Sequence, residues 1–594
     1  MVRIGAASPK SGWALRDWFA GATLFLLTAA VVLWQNAHVA VLWDLSYTLD
    51  SATRIALGQL PYRDFPFAHA PLTFLIQAAI IRLTGRVFFH HILYAAVIGG
   101  LGTVLTWRIV LRTLQERVTH AWTIALILAA PLTVLGIYCI LPFPSYDCDC
   151  AFSILVAIWL LQGLAATPEI RSTKQSIARG FASGAAICLP VFFKQNIGLP
   201  FVAVCLALVL LSLAAPLIFR HRRASVPRAA LFAVLAGATT TLALAALLIQ
   251  GTVGIGNYIH WTIQFAAQRR LPGLHDMLAV YRDPTLLWTL PCAAIALFLL
   301  RSPLAKARSA QVAALGLLAA PFLFTLCSLF LYDDADERGD SLLALWPLLL
   351  ILAAAMALFN LFKLRRQLNL RALLPIILLV AINGTLMSQQ LWGSTYAIWP
   401  LLILLIAEMI PFLAEPKPPG AASRFLSRNL ALALAAGISV TLLICGAFYT
   451  ASEERLSYAQ FPDTPVEHSA FPQLDGISTP GPYLPNFDEL LRYVSANILI
   501  SDGLILLPGE DPFYFVTGRT PQFPVLLFDP ATDPYSPAQV VEQARLHQIR
   551  WLIVKRDLQI KQDPTPQRGA TLNALLPDFT LSVHLHGYDV YMRR

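Results

Sequence analysis

Charge is what this sequence has least of. Asp, Glu, Lys and Arg make up 13% of its 594 residues, against 57% hydrophobic ones. A soluble chain of this length would need far more charge to cover its surface, so that class is excluded. Cysteine is absent from the polar stretch 451–594, and no disulfide framework holds it. All eight cysteines lie in or beside apolar runs. Among them, Asp147-Cys148-Asp149-Cys150 has no CxxC or His-rich partner nearby, which favours small apolar residues at a helix start over a thiolate metal site. Also missing are a Gly-rich phosphate loop, a Ser/His/Asp signature and a convincing internal repeat.

What is abundant is apolar sequence in runs of roughly 17–25 residues, the length that crosses about 30 Å of hydrocarbon. They fall near 14–34, 87–107, 121–141, 150–166, 180–194, 196–218, 229–250, 285–300, 309–331, 341–361, 372–390, 395–413 and 429–450. The chain therefore reads as a polytopic membrane protein of about thirteen transmembrane helices. The first run has no A-x-A site after it and reads as an uncleaved anchor. The stretch 68–85 is apolar too, but Pro71, Arg82 and Arg86 make it a re-entrant or interfacial element.

The few charges are sorted by sign. Basic residues such as Arg108, Arg112, Arg117, Arg220, Arg222, Arg223, Lys363, Arg365 and Arg366 fill alternate loops, which by the positive-inside rule are cytoplasmic. The formal charge of +9 is thus a topology signal. Its dispersal over many short loops argues against a nucleic-acid partner. Acids gather in the other set of loops: Asp44, Asp50 and Asp64, then Asp147 and Asp149, then the segment YDDADERGD at 332–340. This pattern puts the N-terminus in the cytoplasm and the tail outside, on the face where the polar chemistry collects.

Each outer cluster has a plain reading and a functional one. Residues 49–60 form an amphipathic interfacial helix, ended by Gly58 and Pro61, before Tyr62, Arg63 and Asp64. Lys194-Gln195-Asn196 interrupts two apolar runs; the lysine either snorkels to the interface or belongs to a polar site. Glu337 and Arg338 make a solvated ion pair or part of a site. In SQQLWGSTY, Gln389, Gln390, Trp392 and Tyr396 are interfacial anchors or sugar contacts, since amides bond hydroxyls and aromatic faces stack on sugar rings. The outer acids are also of the type that holds a divalent cation.

Taken together, these motifs resemble the GT-C superfamily of membrane glycosyltransferases: a long first span, an outer loop with an acid, an interfacial helix, the G-x-x-P-Y-x-D segment Gly58–Asp64, about a dozen spans and an outer C-terminal domain. Within it the chain is similar to the bacterial group of aminoarabinose transferases, protein O-mannosyltransferases and lipopolysaccharide-core enzymes. The resemblance covers residues 14–450 in architecture. It rests in motif on Asp44 to Asp64, Lys194-Gln195-Asn196 and SQQLWGS. It implies an all-α GT-C-type membrane domain, 1–450 with a first periplasmic loop at 35–86, followed by a small α/β extracytoplasmic domain at 451–594. The location implied is the bacterial inner membrane.

The resemblance also implies a polyprenyl-phosphate-linked sugar as donor and an envelope lipid, glycan or protein as acceptor. The family's first-loop acid falls on Asp44. Where the family often has two adjacent acids, Leu45 follows here, and Asp50 is the candidate substitute. Asp147 or Asp149 fills the place of a second outer-loop acid. For inverting transfer, an ionised Asp44 would serve as base toward the acceptor hydroxyl. Lys194, Arg338, Arg269 or Arg270 would stabilise the departing lipid phosphate. Tyr62, Arg63, Asp64, Gln195, Asn196, Glu337, Gln389, Gln390, Trp392 and Tyr396 are the candidate substrate contacts. Two rival classes remain: a transporter, with charges lining a path, and a hydrolase using Asp44 and Asp50 as paired carboxylates.

In the tail, GLILLPG and RWLIVKR read as buried strands, PAQVVEQARLHQI as a helix and LSVHLHGYDVYMRR as a strand pair. The Pro-rich segment 459–487 reads as a linker or a loop over the active site.

Overall fold

The protein was analysed as a computed structural model, which describes residues 13–36, 42–115, 117–165, 173–218, 226–270, 275, 278–363, 373–386, 391–414, 424–451, 464–529, 532–556 and 566–594. Among these, nine helices are long and apolar enough to cross a membrane. They coincide with nine of the thirteen expected spans. Shorter apolar helices occupy the other four, at Ala121–Leu135, Leu286–Arg301, Leu374–Leu386 and Ala397–Phe412. The chain is a multi-pass membrane protein. The span expected at 121–141 is broken, because Pro131 cannot continue the helix Ala121–Ala129 and a separate turn, Leu132–Leu135, follows it.

Ten helices position the site and are labelled here. They are α1 (Leu15–Asn36), α2 (Leu42–Ala56), α3 (Leu72–Thr84), α4 (Phe88–Leu114), α5 (Ala121–Ala129), α6 (Leu132–Leu135), α7 (Tyr146–Ala165), α8 (Thr173–Phe193), α9 (Gln195–Ile218) and α10 (Arg228–Thr252). At 1.5 Å per residue, the thirteen residues of α3 reach only about 20 Å, short of the bilayer core. Thr73, at its start, bonds Asp149 on the first turn of α7, and α4 begins just beyond its end. Helix α3 is thus too short to span, and it begins beside the first turn of α7.

Helix α2 packs beside α3. Its buried apolar residues Leu45, Leu49, Ala52 and Ile55 recur at helical spacing and pack into the main core. Its C-terminal carbonyls are capped by Arg82, whose guanidinium donates to Ile55 and Ala56 at 2.9 Å each. Gly58, at φ 101°, then turns the chain away, a conformation that other residues rarely adopt.

The tail forms a four-stranded sheet in the order β3-β4-β6-β5, with β3 (Gly503–Leu507), β4 (Ile549–Lys555), β5 (Phe579–His584) and β6 (Tyr588–Arg593). Strands β3 and β4 run parallel, joined by a crossover that contains the helix Pro537–Leu546. Ser536 starts that helix with a reciprocal capping box to Gln539. The alternation of a strand gives the sheet two buried faces. Leu504, Leu506, Trp551, Ile553 and Val590 join the main core, while Ile505, Leu507, Leu552 and Val554 pack with Val540, Ala544 and Leu575. The elements read from the tail sequence are all present.

The segment 459–487 carries some regular structure. Its described part is a two-stranded ribbon, β1 (Val466–His468) paired antiparallel with β2 (Ser478–Pro480), and the helix Tyr483–Asn497 has already begun by 487. The ribbon is fastened to the membrane helices: Asn36 donates to the Gly476 carbonyl at 2.6 Å. One residue earlier, Gln35 donates to the Thr450 carbonyl at 2.6 Å, which joins the ends of the first and last spans.

Candidate functional site

The corner FFKQNIGLP sits between α8 and α9. Lys194 joins the two helices almost without a break, its N–H donating to Pro190 and its carbonyl accepting from Gly198. The corner is tight. A Cβ on Gly198 would lie 2.3 Å from the Val191 nitrogen, so this position has no room for a side chain. The corner drives Lys194 inward, where it is only 7% exposed.

Burying an ammonium demands a counter-charge. Asp147, on the first turn of α7, supplies it through a hydrogen-bonded ion pair. The ammonium also lies 5.2 Å from the centre of the Tyr146 ring. Beyond Tyr146 stands His69, its ring 4.7 Å away, and beyond His69 stands Tyr47 of α2 at 5.3 Å. Phe67 and Phe74 close the aromatic wall. Asp44 lies three residues before Tyr47 on α2, so the two share a helix face, and Asp44 is exposed. A continuous row therefore runs from the Asp44 face of α2 to the Lys194–Asp147 pair.

The corner amides are brackets. Gln195 donates to Ala68 at 3.1 Å and to Thr262 at 2.9 Å, tying the segment beside His69 to a π-helical turn, His260–Phe265. Such turns leave carbonyls without their ordinary helical donor. Asn196 donates to the Gly384 carbonyl at 3.1 Å.

The other expected residues are distributed more widely. Asp149, two residues from Asp147, is 2% exposed and accepts from three hydroxyls: Thr73 at 2.7 Å, Tyr94 at 2.8 Å and Tyr138 at 2.7 Å. It pins α3, α4 and α7 together. Asp50 is buried and faces the tail, accepting from the Tyr514 and Phe515 N–H groups at 3.2 and 2.7 Å. Burial holds its carboxyl well above the usual carboxylate range, and Asp511 nearby adds to the effect. Asp64 pairs with Arg63 at 2.8 Å on an exposed turn, and that hydrogen bond lowers its pKa.

Tyr62 adopts φ 68°, a strained value for a side-chain-bearing residue. Its hydroxyl donates to the His69 carbonyl at 2.7 Å, and its ring meets Tyr258 at 5.2 Å. Arg338 donates to the Tyr332 carbonyl at 2.8 Å, closing the end of the helix Arg308–Leu331, and Glu337 beside it is exposed. Gln389 and Gln390 lie outside the described residues, as do the side chains of Arg269, Arg270, Trp392 and Tyr396.

Sequence reasoning passed over His69, Tyr146 and Tyr47. Only His69 had a local signal, a lone polar ring in the apolar stretch FPFAHAPL. For a divalent cation the fit is poor. Among the described residues no three His, Cys, Asp or Glu side chains gather as a ligand set. Asp147 is engaged by Lys194 and Asp149 by hydroxyls. No chemical step is assigned to a metal.

No family model matches the sequence, and no curated protein matches it. Solved structures give a distant likeness in overall fold. One is ArnT from Cupriavidus metallidurans bound to undecaprenyl phosphate, 14% identical, with 97% of this chain and 98% of that one covered at a TM-score of 0.46. Another is the archaeal oligosaccharyltransferase AglB from Archaeoglobus fulgidus, in complex with an inhibitory peptide and a dolichol-phosphate. It is 13% identical, with 91% of this chain and 70% of that one covered at a TM-score of 0.47.

Proposed function

We propose that the protein is an inverting membrane glycosyltransferase that moves a sugar from a polyprenyl-phosphate donor to an extracytoplasmic acceptor. The observation that carries this reading is the row from α2 to the α8–α9 corner. It holds an exposed carboxylate at one end, a buried ammonium at the other and aromatic faces between them. A sugar on a lipid phosphate needs those three surfaces. The donor's phosphate would meet Lys194, its ring would lie against Tyr47, His69 and Tyr146, and the acceptor hydroxyl would approach Asp44.

In the transfer step the acceptor oxygen bonds to the anomeric carbon as the bond from that carbon to the phosphate oxygen breaks. Asp44 takes the hydroxyl proton. The electron pair leaves with the lipid phosphate, whose growing charge Lys194 stabilises. Asp147 keeps Lys194 aimed between turnovers. The sorting of charge along the sequence supports an outer location for this row, with the N-terminus in the cytoplasm and the tail outside.

The test is to incubate the purified protein with a panel of polyprenyl-phosphate sugars and an envelope extract, following lipid phosphate release and labelled product. Transfer should fall by about 10²–10⁴-fold in Asp44→Asn, with donor affinity nearly unchanged. Release of free sugar without product would identify a hydrolase. Donor binding with no release of lipid phosphate from any of the panel would point to a transporter.

A further inference from the structure

Helix α2 carries a second set of polar residues that this mechanism does not use. Ser46, Asp50 and Arg54 recur every four residues and so form one stripe. At about 100° per residue, the centre of that stripe lies about 120° round the helix from Asp44, with Tyr47 between the two. All three side chains are buried, and all three reach the backbone of one short tail segment. The Ser46 hydroxyl donates to the Glu510 carbonyl at 2.7 Å. Asp50 accepts from Tyr514 and Phe515. Arg54 donates to the Pro524 carbonyl at 2.7 Å and to Gln59, and stands 4.2 Å over the Phe65 ring.

Neighbouring elements grip the same segment. Gln59 donates to the Pro521 carbonyl at 3.3 Å, and Arg86, just before α4, donates to Phe515 and Val516 at 2.9 and 2.8 Å. Gly518 allows this approach. It sits at φ 68°, and a Cβ there would fall 2.5 Å from the Arg86 guanidinium. The segment is in turn fixed to the sheet. Lys555, the last residue of β4, pairs with Glu510 at 2.7 Å and Asp511 at 2.8 Å, and the Tyr588 hydroxyl of β6 donates to Asp511 at 3.1 Å.

We infer that the C-terminal domain is a positioning part of the transfer site, which sets the rotation of α2 and thereby aims Asp44 at the acceptor. The inference rests on the function proposed above. Side-chain bonds to backbone atoms are indifferent to tail sequence but strict in geometry. Turning α2 by one residue would leave the buried Asp50 and Arg54 without their partners. A fifteen-residue helix has little rigidity of its own, so its orientation comes from what it docks against. Ser46, Asp50 and Arg54 are then positioning residues, acting through Asp44 and touching no substrate.

The test uses the full-length purified protein and two mild variants, Arg54→Lys and Ser46→Ala, alone and combined, each also on an Asp44→Asn background. Hydrogen exchange across α2 is read beside donor turnover. Expected are lost protection in α2, a fall in kcat approaching about 10²-fold in the combined variant, and a donor KM near that of the wild type. On the Asp44→Asn background the residual rate should not fall further, because the tether has nothing left to aim. Unchanged α2 exchange, or a loosened α2 with full kcat, would overturn the inference. So would a further loss of rate on the Asp44→Asn background. A silent Asp44→Asn would overturn the base assignment and the inference with it. Lost α2 protection in that case would locate the failure in the chemistry and not in the docking.

Discussion

Among the described residues two lysines are buried, Lys194 and Lys555, and their surroundings differ in a way that separates binding from scaffolding. Lys555 is 4% exposed and lies between Glu510 and Asp511, with the Tyr588 hydroxyl on the second acid and the Tyr483 ring 4.5 Å from its ammonium. Lys194 is 7% exposed and is paired with Asp147 against the Tyr146 ring. The first cation is outnumbered by anions inside a domain; the second is matched one to one, beside an aromatic wall. An ammonium has three N–H donors. Where two carboxylates already share them, an incoming anion would meet repulsion. Where one carboxylate does, an anion can still be received.

The sharpest way to break this comparison is to remove the scaffolding cation. Lys555→Met would leave two carboxylates buried without their counter-charge, a loss of about 3–5 kcal/mol. Chemical unfolding of the detergent-solubilised protein should show that loss. Any Lys555→Met protein that remains folded should keep its donor KM. An intact fold with lost donor affinity would reverse the roles of the two lysines.

The companion change, Lys194→Met, should act on substrate more than on stability. Removing one charge-assisted contact to phosphate would cost about 1.5–3 kcal/mol in donor use, or roughly 10- to 150-fold. Asp147 keeps 13% of its side chain exposed and can take up water when its partner goes. Donor kinetics equal to wild type, read by lipid phosphate release, would reduce Lys194 to a structural pair like that of Lys555.

Acidity sharpens the contrast from the scaffold side. The folded chain holds the Asp50 proton more tightly than the unfolded chain, whose ordinary value is 3.8. Stability should therefore fall as pH rises from about that value through the raised folded one. Asp511, itself paired with Lys555, is the charge that adds to the shift. Asp50→Asn, which is neutral throughout, should flatten the slope in melts as pH rises above the ordinary value of 3.8. A slope unchanged by the substitution would assign the pH dependence to another group.

The smallest effect belongs to Asp64. Its pair with Arg63 is exposed, and screened surface pairs contribute little. Asp64→Asn should leave both melting and turnover at wild-type values. A large loss of turnover would place this turn in the substrate path.

Much of the fold was legible in the sequence because its causes are local. Apolar runs of bilayer length, the Ser536-Pro537-Ala538-Gln539 helix start and the continuous apolar strands at Leu504 and Leu552 each state their structure within a few residues. The Lys194 corner was legible for the same reason, as a polar triplet inside an apolar stretch. The partner of Asp50 was not, since Tyr514 stands 464 positions away and contributes only a backbone N–H, which no side-chain motif can announce. Asp147 and Asp149 looked equivalent in sequence. The 100° between successive helix residues turns one toward Lys194 and the other toward three hydroxyls. The ribbon of the tail was not legible either: a Pro-rich segment reads as a linker or loop, and here Pro472 opens a short helical turn between two strands and Pro480 ends β2.

The docking of α2 also sets an order of assembly. Ribosomes deliver a chain from its N-terminus, so α2 is made early, while its anchors at Glu510, Tyr514, Phe515 and Pro524 come after every span. Until the tail segment folds, the helix that carries Asp44 has the contacts of α3 but lacks the partners of Ser46, Asp50 and Arg54. A half-made chain already sitting in the bilayer would hold α2 by one side only, and completion of the tail would fix the other.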